Sequence, residues 1–339
     1  MNGLSVEGLV AARNGFVLGP VDLAVAPGTA VALIGPSGAG KTTLLRAVAG
    51  FVPLRAGCIR RGGDRVDGDP PERRRFGFVP PNLGLFPDRT VRANVAFPLW
   101  LAGRPDTAER TRSWIERFGL GPLADRYPAQ LSSGERQRVA MARALAAEPA
   151  ALLWDEPLAA LDVEARDVLL ELLRGLLESI QIPLVLVTHD PETAAAVAST
   201  YVVLGGGRVR FAGPPGALAT GPLDRFTARF LGYENLFARP ELEAARADPV
   251  GARLLSAAGP GGVVVPPGAV RWSPRAGGAA VVAGLRATPA GWVASLRQGS
   301  LTFRLSIDGP VPAVRIGDPV ALEVDPGALR PLEAAPEAA

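Results

Sequence analysis

Apolar positions along the chain follow two regimes, which change after Leu231. Before it, short unbroken apolar runs alternate with stretches of helical spacing. Val31-Ala32-Leu33-Ile34, Ala151-Leu152-Leu153-Trp154 and Leu184-Val185-Leu186-Val187 contain no polar position, the pattern of strands buried on both faces of a parallel sheet. Phe76-Gly77-Phe78-Val79 predicts a further short buried strand, stopped by Pro80-Pro81. Helices are predicted over Thr43 to Val48, Val91 to Trp100 and Glu109 to Phe118, the last two joined by a turn at Gly103-Arg104-Pro105. Ser132-Ser133-Gly134-Glu135 reads as a capping box opening a helix that buries Val139, Ala142 and Leu145. After Leu231 the pattern thins. Residues 238–262 are rich in alanine, proline and glycine and predict a linker with one helix, Pro240 to Ala247. From Val263 onward, "VVVPP", "AVRW", "AAVVAGLRA", "GWVASLRQG", "LTFRLSI" and "PVALEVDP" alternate with glycine or proline turns and predict a small β-barrel.

Composition narrows the class. A chain of 339 residues suggests about two domains. No apolar run approaches the ~18 residues of a membrane span, and the best stretch, 91–103, is broken by Arg92 and Pro98. The opening MNGLSVEGLV lacks a basic start and a long apolar segment, so no signal peptide is expected. Cys58 is the single cysteine, which excludes an internal disulfide and fits a reducing compartment. The net charge is +3, and the arginines are interleaved with acids, which predicts a solvated mixed surface rather than a nucleic-acid-binding stripe. Of 36 basic residues only Lys41 is lysine, and His189 is the sole histidine. A chain that uses arginine everywhere else retains lysine where a planar guanidinium fails and a compact ammonium is needed.

The residues around that lysine carry chemistry. Gly35-Pro36-Ser37-Gly38-Ala39-Gly40-Lys41-Thr42 follows a strand and Thr43 continues into a helix, the context in which GxxxxGK[ST] forms a phosphate site. Glycines let backbone N–H groups converge on an anion, the helix N-terminus adds partial positive charge, Lys41 reaches the β- and γ-phosphates, and Thr42 ligates Mg²⁺. The run Ala151 to Trp154 ends in Asp155-Glu156, at the carboxyl edge where parallel sheets present ligands. Asp155 is expected to hold the Mg²⁺ shell and Glu156 to polarise the attacking water.

With Lys41 and Asp155 in place, Leu131-Ser132-Ser133-Gly134-Glu135 resembles the signature motif of ATP-binding cassette (ABC) ATPases, usually LSGGQ; Ser133 and Glu135 are departures from it. The resemblance implies that Ser132 and Gly134 contact ATP bound to the other subunit of a head-to-tail homodimer. Leu158-Ala159-Ala160-Leu161-Asp162 resembles the D-loop, which implies that Asp162 communicates across that dimer, and His189 matches the switch histidine that contacts the γ-phosphate. "FGFVPPNLGLFP", residues 76–87, takes the place of the Q-loop, where relatives carry a glutamine that touches Mg²⁺ and water. Here Pro81 stands in its position, with no side-chain amide and no backbone N–H. Either Asn82, one residue on, substitutes as a metal contact, or Glu156 and His189 alone position the water, or hydrolysis is slower. Because phosphoryl transfer rests on positioning and electrostatics, the loss slows the reaction rather than abolishing it. Phe16 is the candidate for stacking on adenine and is equally a candidate core residue.

The segments "VVVPPGAVRWSP" and "VALEVDPGALRPL" resemble the C-terminal TOBE region of importer ATPases. The whole resemblance implies an α/β P-loop ABC ATPase domain over residues 1–232, with a helical subdomain at about 85–135. A linker over 233–262 and a small all-β, OB-like TOBE domain over 263–339 follow. It further implies cofactors ATP and Mg²⁺, two membrane permease subunits, an extracytoplasmic solute-binding protein, and a peripheral place on the cytoplasmic face of the cell membrane, with no nucleic-acid partner. A single barrel and "LGYENLF" lean towards molybdate or tungstate as cargo. Iron(III), sulfate, polyamine and sugar importers remain alternatives, as does a hydrolysis-impaired regulatory ATP-binding protein.

Overall fold

The three apolar runs become neighbouring strands of one sheet. The computed structural model describes residues 3–13, 15–158, 161–221, 223–289, 291–308 and 314–334, and it divides into two units, Met1–Pro215 and Gly216–Ala339. The first unit runs through β1 (Leu4–Arg13), β2 (Phe16–Val25), β3 (Ala30–Ile34), α1 (Lys41–Ala49), β4 (Leu54–Arg61), β5 (Asp64–Arg65), α2 (Pro71–Arg74) and β6 (Phe76–Val79). A helical stretch follows, α3 (Val91–Leu101), α4 (Thr107–Arg117) and α5 (Ser133–Ala146). The chain then completes β7 (Ala151–Asp155), α6 (Val163–Ile180), β8 (Leu184–Val187), α7 (Pro191–Val197), β9 (Thr200–Gly205) and β10 (Arg208–Gly213).

The main sheet has the order β10-β9-β3-β8-β7-β6, parallel throughout except for β10. Every residue of β3, β7 and β8 is buried, as expected for strands covered on both faces. The strand expected to be buried at Phe76 is instead the sheet's edge: Gly77 and Val79 are buried, while Phe76 and Phe78 are half-buried. Beside this sheet lies an antiparallel one, β2-β1-β4-β5. Apart from the run at Phe16-Val17-Leu18 it was not anticipated from the pattern, because register shifts along β1 interrupt the apolar alternation. Arg74, only 3% exposed, ties α2 to the end of α1. Its guanidinium donates to the carbonyls of Ala47 (3.0 Å), Val48 (2.8 Å), Asp67 (2.8 Å) and Asp69 (2.9 Å), a cation at the negative end of the helix that leaves the glycine-rich loop.

The second unit contains α8 (Pro215–Thr220), which begins at the division, α9 (Arg225–Phe230), β11 (Asn235–Phe237), α10 (Arg239–Ala244) and α11 (Pro249–Ser256). It ends with β12 (Gly262–Val265), β13 (Val270–Pro274), β14 (Ala280–Thr288), β15 (Gly291–Gln298), β16 (Leu301–Asp308), β17 (Pro319–Val324) and β18 (Arg330–Leu332). The six β-like runs of the sequence coincide with β12 to β17. They form a five-stranded antiparallel sheet, β13-β17-β14-β15-β16, and with β11 and β18 a three-stranded one.

Residues 233–262 differ from the expected linker. Phe237, Leu242, Val250 and Leu254 are buried in the same core as Val263 and Phe303, so this stretch is a packed part of the second unit. The large apolar residues are sparse among alanine, proline and glycine, which hid them. The division also falls earlier than residue 232. Arg330, on β18, donates to the carbonyls of Leu218 (2.7 Å) and Gly221 (2.6 Å), fastening that segment to the second unit.

Arg74→Ala should lower the unfolding free energy of the first unit by about 2–3 kcal/mol, the worth of charge-assisted hydrogen bonds whose buried acceptors are left without a donor. Urea denaturation checks this, and an unchanged midpoint would contradict the role given to Arg74.

Candidate nucleotide-binding site

Strand register assembles the site. Leu33 pairs with Val187, and Val187 pairs with Asp155, so β3, β8 and β7 end level to within one residue. Backbone bonds continue the alignment past the strand ends: Thr188 N–H donates to Leu33 O (3.2 Å) and Glu156 N–H to Val187 O (3.0 Å). Neighbouring strands lie about 4.8 Å apart, so residues following these ends meet within reach of one small ligand.

After β3 the chain turns sharply. Gly35 has φ 148°, and a Cβ there would meet the Leu204 carbonyl oxygen at 2.3 Å. Gly38 has φ 79° in open space. The loop delivers Lys41 as the first residue of α1, whose first turn contains no acid, leaving its free N–H groups and partial positive charge to an anion. Lys41 is 7% exposed, and its Nζ donates to Gly35 O (2.6 Å) and Pro36 O (3.0 Å). Burial lowers its pKa from the ordinary value, opposed by the charges of Glu156 and Asp155. An open cavity of about 500 Å³ is lined by Arg13, Phe16, Glu156 and the stretch Ser37 to Thr43.

Asp155 is the one charged residue in the three central strands and is fully buried. An uncompensated polar group in such a place is destabilising by several kcal/mol, so the position answers to chemistry rather than packing. Thr42 Oγ1 donates to its Oδ1 (3.1 Å), while Oδ2 is buried without a hydrogen-bond partner among the described residues. Burial raises the Asp155 pKa, against the Thr42 hydrogen bond. A hydroxyl beside a carboxylate with an unused oxygen fits a hard divalent cation such as Mg²⁺.

Glu156 has φ 51°, left-handed backbone for a residue with a Cβ, the kind of local strain that collects at functional sites. Its Oε2 lies 2.7 Å from His189 Nδ1. With an ionised carboxylate, which only accepts, Nδ1 would be the donor. The turn carrying His189 is braced by Asp190, whose N–H donates to Thr188 Oγ1 (3.0 Å) and whose carboxylate pairs with Arg166 (3.1 Å) and Thr193 (2.6 Å).

A second depression holds the other predicted residues. Ser132 caps α5, its Oγ accepting from Glu135 N–H (3.2 Å) while Glu135 accepts from Ser132 N–H (2.7 Å). Asp162 caps α6 by accepting from Ala165 N–H (2.8 Å). Ser132, Gly134 and Asp162 line this depression together, and none of them lines the cavity around Lys41. Ala159 and Ala160 lie outside the described residues.

Residues 18–159 match the family model described as ABC transporter. The sulfate/thiosulfate import ATP-binding protein CysA 2 of Chromobacterium violaceum is 40% identical over 257 residues, covering 75% of this chain and 70% of that protein. The Fe(3+) ions import ATP-binding protein FbpC of Streptomyces avermitilis is 42% identical over 260 residues, covering 75% of each. The chain belongs to the ABC transporter family. Within it, the chain groups with import ATP-binding proteins and is a transport ATPase. A spermidine/putrescine import ATP-binding protein, PotA of Frankia alni, is 41% identical over 71% of this chain and 50% of its own length.

In this ABC ATPase the loop after β6 stands apart from the cavity. Asn82 is exposed, and no residue from 80 to 90 lines the space around Lys41. Phe16 does line the cavity and packs against Gly40, where a Cβ would meet its ring at 3.0 Å. Arg13 was missed from sequence. It lines the nucleotide cavity and also an adjoining groove with Arg46, Phe51 and Phe78. It ends β1, which was itself not anticipated, so the sequence carried no signal for it.

Asp155→Asn keeps an acceptor for Thr42 and removes the buried charge. Because the folded pKa lies above the unfolded one, the native state holds a proton that the unfolded chain has released, so this group's contribution falls as pH rises above about 4. Without metal, the variant should therefore melt higher than wild type at neutral pH and show a flatter decline in midpoint on going up from acid. A lower midpoint at neutral pH would contradict the assignment.

Proposed function

We propose that the chain is the ATP-hydrolysing subunit of an importer and acts as a homodimer in which each nucleotide is enclosed by both copies. The observation that carries it is the level ending of β3, β8 and β7, which gathers Lys41, Thr42, Asp155, Glu156 and His189. Backbone N–H groups from Gly35 to Thr43 would cradle the phosphates, with Lys41 supplying a compact positive charge. Thr42 and Asp155 would hold Mg²⁺, which when bound neutralises charge on phosphate oxygens. Glu156, held by Nδ1 of His189, would polarise the attacking water, leaving Nε2 to face the phosphate. Two features support a second copy: Ser132, Gly134 and Asp162 share a depression separate from the Lys41 cavity, and Val168, 55% exposed, lines that same depression. Glu156→Gln should lower turnover about 100-fold or more, the worth of a general base. With Mg·ATP it should elute from a sizing column as a dimer. Elution as a monomer at saturating ATP would refute the shared site.

For the cargo we propose a small tetrahedral oxyanion, with two permease subunits and a solute-binding protein as partners at the cytoplasmic face of the membrane. Sulfate/thiosulfate relatives support that class, of which molybdate and tungstate are further members. The C-terminal strands, taken as a TOBE-like barrel, support an importer of this kind. The FbpC relative favours iron(III) as a second reading. Affinity purification of the partners, followed by titration of the solute-binding protein with sulfate, molybdate, Fe³⁺ and spermidine, decides between them. Tight binding of spermidine or Fe³⁺ alone would remove the oxyanion.

A further inference from the structure

The loop after β6 is held at two points by side chains of the helical stretch. Leu83 (φ 62°) and Gly84 (φ 56°) are successive residues in the left-handed region, where a leucine persists only if its surroundings over-determine it. Both carbonyls are taken by one side chain on α5: Arg143 Nη2 donates to Leu83 O (2.8 Å) and Nη1 to Gly84 O (2.7 Å). The same guanidinium lies over the Phe86 ring, 5.4 Å from its centroid. Phe86 is also held through its backbone. Its N–H donates to Asn94 Oδ1 (2.9 Å) and its carbonyl accepts from Asn94 Nδ2 (3.1 Å), Asn94 being fully buried on α3. A planar fork with paired donors matches this pair of carbonyls, and an ammonium does not.

Arg143 sits on the helix that Ser132 caps, about three turns further along. We propose that Arg143 is a positioning residue that locks the 80–87 loop to α5, so that the loop follows the helix carrying Ser132 and Gly134 instead of sensing nucleotide by direct contact. Two observations favour this route. Pro81 offers neither an amide nor an N–H, and no residue of the loop lines the Lys41 cavity. The assignment rests on the ATPase reading above and deepens it by naming what drives the loop.

Hydrogen exchange on the full chain tests it, with and without Mg·ATPγS, in wild type, Arg143→Lys and Arg143→Gln, beside nucleotide titration and steady-state hydrolysis. In wild type, nucleotide should slow exchange in peptides covering both 131–137 and 82–90. Arg143→Lys should retain nucleotide affinity and the response at 131–137 to within about two-fold. It should lose the response at 82–90, with exchange there about ten-fold faster, as expected when one charge-assisted hydrogen bond is removed. Its kcat should fall while KM stays level. An 82–90 response that survives in Arg143→Lys overturns the proposal, as does equal loss in both segments with raised KM, the signature of a merely structural role. If the Arg143 variants do not fold, Phe86→Leu removes the ring beneath the guanidinium and should weaken the 82–90 response selectively; an unaltered response overturns the lock. A wild-type chain that binds no nucleotide in the titration refutes the underlying ATPase reading, which is distinct from the lock failing while binding is intact.

Discussion

Three parallel strands ending at one level are the constraint on which the rest of the first unit depends. The ladder Leu33 to Val187 to Asp155 fixes where the glycine-rich loop, the acidic pair and the histidine turn leave the sheet. A slip of one residue in any of these strands would turn every side chain to the opposite face. In β7 such a slip would carry Asp155 away from Thr42, leaving a buried carboxylate without its hydrogen bond, which is costly. The register brings together groups more than 100 residues apart in sequence, as the hydrogen bond from Thr42 to Asp155 shows.

The same economy governs charge. Lys41 and Asp155 are both buried, each pushed by burial towards its neutral form and drawn back by the other's charge. Arginine is used elsewhere for a different task, planar donation to backbone carbonyls. Arg74 closes the end of α1, Arg143 spans two carbonyls of the loop after β6, and Arg330 holds the start of the second unit. A guanidinium does this well because several donors are fixed in one plane. The phosphate loop requires a compact donor that sits among converging backbone groups, and there the chain keeps its lysine.

What was legible in sequence is what rests on local pattern. The apolar runs of β3, β7 and β8, the capping box at Ser132, the glycine-rich loop and the strand-turn rhythm after Val263 all depend on neighbouring residues, and each appears where it was expected. Long-range features were not legible. The antiparallel sheet of β1, β2 and β4 hides behind register shifts, and the packing of residues 233–262 depends on a few large residues set in small ones. Arg13 and Arg143 carry no motif; their roles exist only once a cavity or a pair of carbonyls is in place. Asn82 shows the converse. Adjacency in sequence made it a plausible substitute at the position of Pro81, but the turn through Leu83 and Gly84 follows Arg143 and leaves Asn82 in solvent.

The most direct measurement is Mg²⁺-dependent ATP hydrolysis by the purified chain beside Lys41→Arg, a substitution that keeps the charge and changes only its shape. If the gathered residues form a working phosphate site around a compact ammonium, wild type turns over and Lys41→Arg falls by about 100-fold or more, the scale for losing one preorganised charge contact at a transferring phosphoryl group. Hydrolysis that is absent in wild type, or equal in the two proteins, would contradict the account.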